Sequence, residues 1–148
     1  MYANFLKKVL IELKRKGFIA YLETNGILKN KLLKIIDFLD IISMDIKLPS
    51  SAGCKAYWKE HEDFLKEAVR KKVFVKSVIT HKTLLSDIER AVSIVENIDK
   101  TVFFILQPVT FGSKIQKIKK AMEFLSAAGS RLDNVRLMPQ VHKILDVR

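Results

Sequence analysis

Apolar stretches that read as strands begin near positions 18, 41, 73, 102 and 135, at intervals of about 23 to 33 residues, and each successive pair encloses one segment of helical periodicity. Such a spacing fits a crossover helix and is too long for a hairpin. It predicts parallel strands in one sheet with right-handed connections. At 148 residues the chain reads as a single domain, 1–148, with a sizeable core. The fold class is α/β, and the choice lies between an open doubly wound sheet and a partial (β/α) barrel with flanking helices. Neither Gly-x-Gly-x-x-Gly nor a P-loop occurs, so the usual nucleotide-binding forms of the open sheet lack support.

In order along the chain, Phe5, Leu6, Val9, Leu10 and Leu13 share one helical face opposite Lys7, Lys8, Glu12, Lys14 and Arg15, and Gly17 is placed to close that helix. Residues 18–23 read as a buried strand stopped by Thr24-Asn25-Gly26, and a second helix spans about 29–39. After a strand at 41–47, Pro49 to Gly53 reads as a loop. A third helix, about 55–71, buries Tyr57, Phe64, Leu65 and Ala68, while Cys54, Trp58 and His61 receive no functional role. Residues 73–80 form the strand richest in β-branched side chains. Ser86-Asp87-Ile88-Glu89 reads as a capping box opening a helix with Ile88, Ala91, Val92 and Val95 inward. A strand at 101–109, a helix marked by Ile115, Ile118, Met122 and Leu125 and closed by Gly129, and a short strand at 135–138 complete the order.

The stretch from Ile41 to Ser51 is unusual for such a sheet. With period two, Ile42, Met44, Ile46 and Leu48 point one way, and Ser43, Asp45 and Lys47 the other. Strands of parallel sheets are normally covered on both faces, so a row of Ser, Asp and Lys demands either water or a polar ligand pocket. Polar residues also gather at the other strand ends: Glu23, Thr24 and Asn25 on the first, Thr80 and His81 on the third, Gln107 on the fourth, and Gln140 and His142 after the last. All of these are carboxyl ends, the edge that carries the ligand site in open α/β sheets and in barrels alike. Turn chemistry alone accounts for some of them. Thr24-Asn25-Gly26 also reads as a turn needing positive φ, and His81 as a cap of the turn that follows.

The formal charge of +11 invites an anionic partner, but 21 of the 27 basic residues are lysine, spread over helix surfaces. That distribution reads as a solvated face rather than a nucleic-acid surface, which would concentrate arginine. One cysteine, Cys54, excludes an intrachain disulfide framework and a self-contained cysteine-rich metal site, and a reducing cytoplasm is the expected setting. No apolar run approaches the length of a membrane span.

Glu23-Thr24-Asn25-Gly26, the Asp45-Ile46-Lys47-Leu48-Pro49-Ser50-Ser51 run, residues 74–80, Leu106-Gln107-Pro108-Val109 and residues 135–143 resemble, in order and spacing, the later part of the 7-carboxy-7-deazaguanine synthases, of the radical S-adenosylmethionine superfamily. The resemblance spans nearly the whole chain. Its first two segments also recur in organic radical activating enzymes, whereas the Gln-Pro-Val and Pro-Gln-Val-His-Lys segments point to the synthases. It implies a partial (β/α) barrel that binds S-adenosylmethionine, with Glu23, Thr24, Asn25, Ser43, Asp45 and Lys47 as cofactor-binding residues. It also implies a pterin-like substrate held by Gln107, Gln140 and His142. The family reaction is ring contraction of 6-carboxytetrahydropterin, begun by a 5′-deoxyadenosyl radical and assisted by Mg²⁺.

The sequence departs from the family in lacking the CxxxCxxC motif that holds the [4Fe–4S] cluster, and the Gly-Gly-Glu-Pro segment expected before the first helix is absent. The expectation is a C-terminal portion of such an enzyme, inactive alone, with a homodimer possible through exposed strand edges. Two rivals stay open. One is a half-barrel that binds a nucleotide-like ligand without radical chemistry; the other is an enzyme using Lys47 as a Schiff-base amine.

Overall fold

The computed structural model describes residues 3–111 and 114–141. Five strands, β1 (Tyr21–Thr24), β2 (Ile41–Asp45), β3 (Lys72–Ile79), β4 (Phe103–Pro108) and, after a small antiparallel ribbon of β5 (Thr110–Phe111) and β6 (Lys114–Ile115), β7 (Val135–Leu137), make the fold. The main sheet runs β1-β2-β3-β4-β7, every pair parallel, so spatial order follows chain order. The crossovers are α1 (Ala3–Arg15) leading in, α2 (Lys29–Leu32) with a 3-10 turn at Ile36–Phe38, α3 (Pro49–Ala52) and α4 (Trp58–Ala68), α5 (Leu85–Asp99) and α6 (Ala121–Gly129). This is the predicted α/β sheet, consistent with a partial barrel.

Lateral neighbours in a parallel sheet point to the same side, so the register separates two faces. Ile42 pairs with Val73, and Met44 with Val75, which pairs with Phe104. These side chains are buried in one cluster with Leu65, Ala68, Ile88, Val92, Val95, Phe124 and Ala128 of α4, α5 and α6. The opposite face carries Glu23 beside Ser43 beside Phe74, and Asp45 beside Lys76 beside Ile105 beside Arg136. It points away from that helix layer. Tyr21, Glu23, Lys72, Phe103 and Arg136 on it are exposed.

Several sequence expectations are corrected. Residues 18–20 precede the ladder, and Phe18, Ile19 and Tyr21 are exposed rather than buried, because β1 is an edge strand bordering the uncovered face. Pro49 to Ala52 is one helical turn with proline at its start, not a loop. The capping box does not form. Helix α5 opens at Leu85 behind an extended Leu84 without a side-chain cap, and Asp87 instead accepts hydrogen bonds from the Ser50 N–H and hydroxyl. Ser50 Oγ in turn accepts the Leu84 N–H. The helix expected from Ile115 begins only at Ala121, since Ile115 is spent in the β5–β6 ribbon. Met122 is exposed, and the buried stripe is Ala121, Phe124 and Ala128.

Two polar clamps fix the loops that border the sheet. Asp40, just before β2, accepts from the Lys14 ammonium and the Ala20 N–H, which ties α1 to the start of β1 and holds its carboxyl below the ordinary value. At the other end, Ser51 Oγ meets Thr83 Oγ1, which also accepts the Thr80 N–H at 2.7 Å. Among the described residues no helix is long and apolar enough to cross a membrane.

Candidate functional site

The carboxyl ends of β1 and β2 converge as the alternation requires. Glu23 stands beside Ser43, one row below Asp45, and Lys47 follows where the strand leaves the ladder. Lys47 lies on the polar side: its ammonium pairs with Asp45 Oδ2. The next row adds a residue that the sequence reading passed over. Lys76, laterally adjacent to Asp45, pairs with Glu23, and its side chain is only 16% exposed. Reading 73–80 only as a strand rich in β-branched residues gave it no role. The result is an alternation of charge, Glu23, Lys76, Asp45, Lys47, across three strands.

Within this array two polar atoms, Ser43 Oγ and Asp45 Oδ1, lie buried without hydrogen-bond partners among the described residues. Phe74 shares the Ser43 row and Tyr21 lies one row before it on the same face, their ring centroids 6.4 Å apart. An orphaned buried hydroxyl or carboxylate oxygen costs about 1–3 kcal/mol, so these atoms mark where a bonding group is missing. Beyond the strand ends, a cavity of about 210 Å³ is lined by Ile46, Lys47, Leu48, Ser51, Ala52 and Val78.

The Thr24-Asn25-Gly26 turn closes the β1 end. Thr24 shares its row with Met44, on the helix side, and its hydroxyl accepts the Gly26 N–H at 3.2 Å. Asn25 is exposed. Gly26 has φ +61°, and a Cβ there would lie 2.5 Å from Met44 Cγ, so both conformation and space require glycine.

His61, given no functional role from sequence, is fully buried on α4 and joins the two strand ends. Its Nε2 lies 3.2 Å from the Lys47 amide nitrogen and its Nδ1 lies 3.1 Å from the Gly26 carbonyl oxygen. An amide can only donate and a carbonyl only accept, so the imidazole is the neutral Nδ1–H tautomer. Burial pushes its pKa below the ordinary value, and the Gly26 carbonyl, Asp45 and Glu60 oppose that shift incompletely. A signal was present. Tyr57, His61, Phe64, Leu65 and Ala68 share one helical spacing, which places the ring on the buried face.

Of the residues expected to meet a substrate, Gln107 occupies the Val78 row of the polar face. Gln140 reaches the same edge, its side-chain oxygen accepting the Thr110 N–H at 3.2 Å. His142 lies outside the described residues. His81 is exposed and borders a second cavity of about 280 Å³, with Lys117, Lys119 and Lys120 around the rim. The turn that follows β3 is held by Thr80 and Thr83 instead. Cys54 falls between α3 and α4, not on a helix.

No family model matches the chain. Curated relatives do. It is 38% identical to a 7-carboxy-7-deazaguanine synthase of Geobacter sulfurreducens, over 88% of this chain and 53% of that protein. It is 31% identical to the enzyme of that name from Methanocaldococcus jannaschii, over 98% of this chain and 62% of the other, and 34% identical to that of Archaeoglobus fulgidus, over 86% and 56%. The chain is therefore a relative of the 7-carboxy-7-deazaguanine synthases that spans about half the length of those it matches.

Proposed function

We propose that the chain supplies the S-adenosylmethionine-binding edge and part of the substrate-facing edge of a synthase of this type. The observation that carries the reading is the uncovered polar face, with Ser43 Oγ and Asp45 Oδ1 buried and without partners inside an alternation of charges. A methionine-like zwitterion bearing a ribose matches that array: Lys47 and Lys76 suit its carboxylate, Asp45 its ammonium, and Glu23, Ser43 and the Thr24-Asn25-Gly26 turn its remaining polar groups. S-adenosylmethionine, when bound and given one electron by the family's iron–sulfur cluster, would supply the 5′-deoxyadenosyl radical of the family reaction. This chain's own residues bind and orient it. Gln107, Gln140 and His142 are proposed for a carboxylated pterin-like substrate.

The fit differs for the other groups the family implies. A site-differentiated [4Fe–4S] cluster takes three thiolates and this sequence has Cys54 alone, so we place its ligands outside these 148 residues and route no step through it. Among the described residues no group of three His, Cys, Asp or Glu could hold a metal ion, so Mg²⁺ is given no ligand here. Among the described residues β1 and β7 are the edge strands of the main sheet, which makes self-association a corollary, and a reducing cytoplasm suits the assignment.

Calorimetric titration with S-adenosylmethionine tests the reading: measurable binding is expected, at least tenfold weaker in Asp45→Asn and Lys47→Ala variants of unchanged fold. Unchanged affinity in both variants would sink it. Anaerobic iron–sulfur reconstitution of the chain alone is expected to yield neither a stoichiometric cluster nor 5′-deoxyadenosine. Binding without radical chemistry in any longer form of the protein would favour the ligand-binding half-barrel, which the single cysteine supports.

A further inference from the structure

We infer that His61 is the positioning residue of this site: as the neutral Nδ1–H tautomer it sets the separation between the Thr24-Asn25-Gly26 turn and the Lys47 strand end, and a protonated ring cannot. The sheet ladder supplies no alternative. It ends with the Ile46 N–H donating to the Lys76 carbonyl at 2.8 Å, and the next amide, Lys47, turns instead to His61 Nε2. The other ring nitrogen reaches the Gly26 carbonyl, whose own residue is pressed against Met44 of β2. One fully buried ring on α4 thus spans the ends of two strands that carry opposite sides of the charge array.

Protonation removes the acceptor at Nε2 while leaving the donor at Nδ1 intact, so acid breaks the Lys47 bond and not the Gly26 bond. The groups facing the ring are Asp45 at the end of β2 and Lys47 just beyond it, Glu60 on its own helix, the Tyr57 ring edge-on at 6.3 Å between centroids, and the Gly26 carbonyl. Burial outweighs the two carboxylates and keeps the ring neutral until the pH falls below the ordinary imidazole value of 6.5.

The inference deepens the proposed cofactor reading and rests on it for the ligand, but the two are separable by experiment. Amide hydrogen exchange at Lys47 and S-adenosylmethionine affinity are measured across pH in the wild-type chain, His61→Gln, His61→Asn and His61→Phe. Glutamine can return an acceptor near Nε2; asparagine can return only a donor near Nδ1. Lys47 exchange, corrected for intrinsic rates, is expected to rise roughly tenfold in His61→Phe and His61→Asn and to recover in His61→Gln. Wild-type affinity should weaken on acidification, and that dependence should flatten in His61→Gln, which does not titrate. Wild-type Lys47 protection in every variant, or an undiminished acid dependence in His61→Gln, would overturn the inference. If His61→Phe fails to fold, the Gln and Asn pair decides. Absence of ligand binding at any pH, with Lys47 protection still following the ring chemistry, would remove the cofactor reading and leave the positioning role.

Discussion

Phe103 and Phe104 are chain neighbours with the same side chain and opposite fates. Phe104 is fully buried between Val75 and the helices, whereas Phe103 is 41% exposed on the other face, with the Arg136 guanidinium 5.8 Å from its ring. The same division runs along β2, where Ile42, Met44 and Ile46 are sealed and Asp45 and Lys47 are half-open. One face of the sheet holds the fold together and the other carries the charged side chains. Parallel sheets usually cover both faces, and a face with paired charges and orphaned polar atoms is the one we propose for ligand binding.

Substitutions that exchange these roles sharpen the contrast. Phe104→Ala should lower unfolding free energy by about 3–5 kcal/mol in denaturant titrations, the cost of a large core cavity, while Phe103→Ala should cost less than about 1 kcal/mol. Comparable losses at both positions would erase the distinction between faces. Gly26→Ala should cost about 1–3 kcal/mol, because it combines a left-handed φ with a clash against Met44 Cγ.

A smaller effect is the pH dependence contributed by His61. Its folded pKa lies below 6.5, so below that value the unfolded chain binds a proton that the native chain does not. Stability should fall as the pH drops through 6.5 toward the lowered folded value and should be flat with respect to this group above 6.5. Thermal melts of the wild type and His61→Gln read the difference directly, and a slope of the same size in both would assign the acid loss to other groups. The smallest change has the opposite sign. Ser43→Ala removes a buried hydroxyl without a partner and should stabilise the chain by up to about 1 kcal/mol while weakening the proposed ligand; destabilisation would mean that the hydroxyl serves the fold.

Much of this architecture was legible in the order of residues, and the exceptions have specific causes. The spacing of apolar stretches set the parallel sheet, and the alternation through Ser43, Asp45 and Lys47 located the polar face. Local rules failed where a distant partner intervened. Asp87 sits where a first-turn acid favours a helix start, but Ser50, far away in sequence, claims its carboxylate. Ile115 fits a helical stripe yet pairs with Thr110 in a ribbon. Phe18, Ile19 and Tyr21 read as core because their composition says nothing of an edge position. Lys76 and His61 were missed for a different reason: each lies in a strongly apolar pattern, and a polar residue there reads as tolerated rather than used. In both cases the register supplied the meaning, Lys76 through its row with Asp45 and His61 through its reach to Lys47 and Gly26.

The central claim, that the uncovered face is the ligand face, is tested most directly by nuclear magnetic resonance of the ¹⁵N-labelled chain during titration with S-adenosylmethionine. Saturable shifts should concentrate at residues 23–26, 43–47, Lys76 and Gln107, with the amides of α5 and α6 unmoved. Shifts centred on those helices, or no saturable shift at any of the named positions, would contradict the account.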